Sequence, residues 1–114
     1  MTADEYKQVK NKENILDFST LNLTRQYLEQ VGSNGVAEEV SQILIHNKVE
    51  KPALHNRQQE IHTDFYYVNL TSSSVEIITS MLIDFEAASV TETGESTTLT
   101  AHYSGMLDRW SNLQ

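Results

Sequence analysis

The apolar positions of the chain follow one period in its first half and another in its second. Residues 1–14 are polar and charged, with Lys7, Lys10 and Lys12 set against Asp4, Glu5 and Glu13 and only Tyr6 and Val9 to bury, which predicts a flexible arm. A helical period follows. Leu23, Tyr27, Leu28 and Val31 fall on one face, Ser19 or Thr20 stands at a capping position, and Gly32 occupies the place just past a helix end. Ser33-Asn34-Gly35 reads as a tight connection into a second helix. That helix carries Glu38 and Glu39 in its first turn, where the macrodipole favours them, and a buried stripe of Val36, Val40, Ile43 and Leu44. Residues 19–47 are therefore expected to form a helical hairpin. Around Asn47-Lys48 the pattern stops, Pro52 prevents simple continuation, and residues 47–60 read as a connector with a turn of helix near Ala53–Gln58.

From Ile61 the period becomes two. Ile61 to Leu70 is rich in aromatic and β-favouring residues, and Thr71-Ser-Ser-Ser74 reads as a turn. Val75, Ile77, Thr79, Met81, Ile83 and Phe85 alternate with Glu76, Ile78, Ser80, Leu82, Asp84 and Glu86, so the first set is assigned to a core face and the second to an open one. Residues 91–96 read as another turn. Beyond them Leu99, Ala101, Tyr103 and Leu107 alternate with Thr98, Thr100, His102, Ser104 and Asp108 as a third strand. The expected fold is a single α+β domain over residues 1–114. In it the helical hairpin packs on a curved antiparallel meander of three or slightly more strands spanning 61–108. Strands longer than about five or six residues curl with their twist, which predicts a half-cone over the helices.

Charge sharpens this picture. The 114 residues carry a formal net charge of −8. Residues 1–57 hold eight acids and seven bases, whereas residues 58–114 hold eight acids and Arg109 as their one base. A surface with so few cations repels phosphate backbones and anionic lipid and attracts basic partners, so direct binding to nucleic acid is not expected. No long apolar run crosses a membrane and the first residues lack a signal-peptide pattern, so a cytoplasmic protein is expected. The absence of cysteine excludes disulfides and thiol chemistry. On the expected open face, Glu76, Asp84, Glu86 and Asp108 rim an apolar strip of Ile78, Leu82 and Met106. That combination predicts a protein-binding surface for a basic partner, or a homodimer built through the sheet.

The segment His62 to Trp110 resembles the sheet half of the nuclear-transport-factor-2-like superfamily. The likeness is carried by His62 with Asn69, by the alternating stretch Ile77 to Phe85, and by Tyr103-Ser-Gly-Met-Leu-Asp-Arg-Trp110. It implies a cone with a pocket between sheet and helices, lined here by His62, Tyr67, Met81, His102 and Tyr103, and a dehydratase- or isomerase-like activity. The residues themselves supply little catalytic chemistry. His46, His55 and His62 with Asp64 lack the close spacing that metal ligands need, so no metal or other cofactor is expected. Asp84 or Glu86 beside His102 would sit on a wet face, where carboxylates make poor acids, and no catalytic residue is assigned. Neither a nucleophile elbow nor a phosphate loop occurs. The function expected from the residues is that of a non-enzymatic binding or regulatory protein, such as an inhibitor, an immunity-type antidote or an assembly factor. The resemblance supplies the alternative, a small cone-fold enzyme or ligand-binding protein.

Overall fold

Helical periods prevail over most of the described residues. The structure, a computed structural model, describes residues 14–49, 64–91 and 93–113, about two thirds of them helical. Two units form, one within residues 1–69 and one within residues 70–113.

The first unit contains β1 (Ile15–Asp17), α1 (Phe18–Gln30), α2 (Asn34–His46) and β2 (Phe65–Tyr67). Asp17 starts α1: its carboxylate accepts from the Thr20 backbone N–H at 3.2 Å and from the Thr20 hydroxyl at 2.6 Å. The cap thus lies two residues before Ser19, and the buried face is centred on Thr20, Leu21, Thr24 and Leu28. Val31, expected on that face, is exposed. At the other end the Gly32 N–H donates to the Glu29 carbonyl and the Ser33 N–H to the Leu28 carbonyl, a Schellman closure. Gly32 has φ +82°, a left-handed backbone that any side chain would strain. The closure turns the chain directly into α2, which buries Val36, Ala37, Val40 and Ile43. Asp17→Ala is expected to cost about 1 kcal/mol through loss of the cap, read as a lower urea midpoint with an unchanged slope.

Among the described residues, period two holds in the β1–β2 ribbon. Asp64, Tyr66 and Val68 are buried while Phe65 is half-buried and Tyr67 exposed. One edge of β2 pairs antiparallel with β1, with Ile15 opposite Tyr67, Leu16 opposite Tyr66 and Asp17 opposite Phe65. On the other edge the Val49 N–H donates to the Phe65 carbonyl at 2.7 Å and the Tyr67 N–H to the Asn47 carbonyl at 3.0 Å. Fully buried Val49 packs with Ile15 and Phe65. Residues 1–13 of the expected arm and the turn near Ala53–Gln58 lie outside the described residues, as do positions 61–63 of the expected first strand.

The second unit is a helical hairpin, and here the expected meander is overturned. Residues assigned to the second and third strands form α3 (Ser72–Ala88) and α4 (Thr98–Ser111), which pack against each other. Among the described residues the only sheet is the two-stranded β1–β2 ribbon. The supposed turn at 71–74 is a helix cap: Thr71 Oγ1 accepts from the Ser74 N–H at 3.2 Å. Thr97 caps α4 reciprocally. Its hydroxyl accepts from the Thr100 N–H while the Thr100 hydroxyl accepts from the Thr97 N–H, a capping box with threonine in the usual Glu/Gln position. Between the helices the Thr97 hydroxyl donates to the Ser89 carbonyl at 2.9 Å, and Gly94 takes φ +83° in a turn closed by the Thr91 N–H on the Glu95 carbonyl. Burial follows the helical period. Ser74, Ile78, Met81 and Leu82 are buried on α3, and Thr100, Met106 and Trp110 on α4. The stretches 77–85 and 103–110, expected as strands, are these helices, so among the described residues no three-stranded meander forms.

Candidate functional site

Helix formation sorts the expected binding residues into two groups. Ile78, Leu82 and Met106, the proposed apolar strip, have no solvent exposure at all and belong to the core. Glu76, Asp84 and Asp108 are exposed, whereas Glu86 is half-buried, with its Oε2 out of solvent and without a hydrogen-bond partner. The acidic-rimmed sheet face therefore does not exist, and a dimer through that face loses its surface. A different surface takes its place. At about 100° per residue, Glu76, Ser80, Ile83, Ala87 and Asp84 span one flank of α3, with Ile77 at its margin. Ile77 and Ile83 are 44% and 52% exposed. Apolar and acidic groups thus share one helix face, where a period of two assigned Ile77 and Ile83 to the core and Glu76 and Asp84 to the opposite side.

The expected pocket residues are dispersed. His62 lies outside the described residues, Tyr67 is exposed on β2 of the first unit, and Met81 is buried in α3. His102 and Tyr103 are neighbours on α4 with ring centroids 5.3 Å apart, and the Tyr103 ring lies 5.4 Å from Phe85 of α3. Phe85 and Tyr103 instead help to line a shallow cleft of about 170 Å³ at the loop end of the hairpin, together with Ala88, Ser89 and Leu99. Its walls are largely apolar, and Leu99 is 57% exposed. With one phenol and one serine hydroxyl as its polar side chains, the cleft is suited to receiving an apolar group.

Sequence reasoning overlooked a polar cluster in the first unit. Asp64 is 4% exposed, and its Oδ2 lies 3.5 Å from the Lys48 ammonium, whose residue faces Tyr66 across the ribbon. Asp64 and Tyr66, two apart on one strand, share a face. The Tyr66 phenol is raised above its ordinary 10.0 by burial first, then by the Asp64 charge and by a hydrogen bond to that carboxylate. The alternation of Asp64 with buried Tyr66 was the available signal. A group whose folded pKa is raised contributes stability that is complete below its unfolded pKa and is lost as pH rises through the folded value. Stability should therefore fall above about pH 10, and phenolate absorbance should show a late-ionising tyrosine that Tyr66→Phe abolishes. The cluster places a buried carboxylate beside an ammonium and a phenol.

Among the described residues no group of three or more His, Asp or Glu side chains is placed to hold a metal ion, and no helix is long and apolar enough to cross a membrane. Comparison with models of protein families, with curated proteins and with solved structures found no match.

Proposed function

We propose that the protein is a non-enzymatic binding or regulatory protein that recognises a basic protein partner through the outer face of α3. The observation that carries this reading is the pairing of Glu76 and Asp84 with exposed Ile77 and Ile83 on that face. Protein interfaces combine an apolar centre with a charged rim in this manner. The charge of the unit adds to it: residues 70–113 hold six acids and the single base Arg109. A field of one sign steers an oppositely charged partner and speeds encounter, an effect that salt screens within a Debye length of about 10 Å at 0.1 M. Exposed carboxylates and isoleucines offer complementary contacts to a lysine- or arginine-bearing amphipathic segment, which is the partner chemistry expected of an inhibitor, an immunity-type antidote or an assembly factor.

The test is anisotropy titration with a synthetic amphipathic helical peptide built from lysine and leucine. Glu76→Lys with Asp84→Lys is expected to weaken binding about tenfold or more and to flatten its salt dependence. The control pair Glu38→Lys with Glu39→Lys on α2 changes net charge equally and should have a much smaller effect. Equal loss in both pairs would reduce the interaction to bulk charge and remove the face from the proposal.

A further inference from the structure

We infer that the cleft between α3 and α4 receives one aliphatic or aromatic anchor side chain of a basic partner segment. The inference rests on the basic-partner reading above and names the anchor site for it. Three observations lead to it. The cleft is a shallow depression of about 170 Å³ bounded by Phe85, Ala88, Ser89, Leu99 and Tyr103, with largely apolar walls against which one apolar side chain packs. It is adjacent to the proposed interaction face: Ala88 follows Asp84 by one helical turn, so the acid and the mouth of the cleft are i, i+4 neighbours on α3. The stretch of chain that forms it carries one sign of charge, since no lysine or arginine occurs between Arg57 and Arg109 while Asp84 and Glu95 are exposed.

Those features choose the occupant. A second copy of this chain would bring the same negative hairpin against its like, whereas a segment with an apolar residue flanked by lysine or arginine satisfies both the cleft and its rim. Interfaces concentrate affinity in such central anchors, and the surrounding charge governs encounter rate and salt dependence. Leu99 is the natural lip: it lies in the first turn of α4 on the same stripe as Tyr103, Met106 and Trp110, yet stays 57% exposed because it stands at the open end of the helix pair.

Ala88 is exposed and helical, so Ala88→Leu fills the cleft without removing a charge or a core contact. The probes are two lysine-rich peptides differing at one position, phenylalanine in one and serine in the other. The phenylalanine peptide is expected to bind the full chain about 10- to 100-fold more tightly than the serine peptide. In Ala88→Leu that advantage should shrink to about twofold or less, with the salt dependence of both peptides unchanged and the circular dichroism retained. Equal affinity of the two peptides for the unaltered protein would overturn the anchor site while leaving the acidic face in place. Failure of both peptides to bind at low salt would overturn the basic-partner reading and the anchor with it. Self-association of the protein that Ala88→Leu abolishes would overturn the proposal by assigning the cleft to a second copy.

Discussion

Trp110→Ala is expected to destabilise the protein by about 3–5 kcal/mol, the range for deleting a large aromatic side chain from a packed interior. Trp110 is the only tryptophan and has no exposed surface, although it lies in the last turn of α4. Its indole closes the stripe begun by Tyr103 and Met106, and few neighbouring atoms at a helix end can move in to fill the vacated volume. The loss should appear as a fall in Tm of roughly 10 °C or more by circular dichroism. In the unaltered protein the same residue is a reporter. Its emission should be blue-shifted and poorly quenched by iodide, and should shift red in the transition that unfolds the hairpin.

The second large effect separates two adjacent residues. Leu82→Asp is expected to cost about 3–5 kcal/mol, because it removes a fully buried side chain and places a carboxylate where no water reaches. Ile83→Asp should cost no more than about 1 kcal/mol, helix propensity included, since Ile83 is more than half exposed. A strand over 75–87 reverses this order, because it places Ile83 in the core and Leu82 on the open face. Urea denaturation of the two variants under one set of conditions decides between them, and an Ile83 variant less stable than the Leu82 variant would remove the helix.

That reversal explains how much of the fold was legible. Helices over 18–30 and 34–46 follow from apolar spacings that fit only a helical period and from Gly32, whose left-handed backbone ends the first of them. Residues 75–85 were ambiguous because Val75, Ile77, Ile78, Met81, Leu82, Ile83 and Phe85 satisfy periods of two and of 3.6 at once. The β-branched content of the stretch favoured the strand. Two signals pointed to the helix: a 17-residue run is long for a strand, and Thr71 and Thr97 each stand three residues before a hydroxyl residue, at spacings that cap helices as readily as they make turns. Tertiary packing overrode the propensity: the adjacent residues Met81 and Leu82 are both buried, which the alternation of a strand does not allow and one face of a helix does.

The candidate site was legible in its charge but not in its geometry. The scarcity of cations after Arg57 is a property of composition and survives any change of fold. Which apolar residues accompany the acids depends on the period, and changing it exchanges Ile78 and Leu82 for Ile77 and Ile83. The cleft had no sequence signal, because it joins Phe85 and Ala88 to Leu99 and Tyr103 across a nine-residue connection whose closure depends on the Thr97 to Ser89 hydrogen bond. The Lys48, Asp64 and Tyr66 cluster likewise needed the pairing of residue 48 with β2 before its members could be associated.

The most direct measurement is an amide and Cα NMR titration of the labelled full chain with the lysine and leucine peptide at low salt. The acidic hairpin predicts helical Cα shifts through 72–88 and 98–111, with peptide-induced changes concentrated on Glu76, Ile77, Ser80, Ile83 and Asp84 and fading as salt is raised. Extended Cα shifts in those segments, or changes centred on α2 instead, would contradict it.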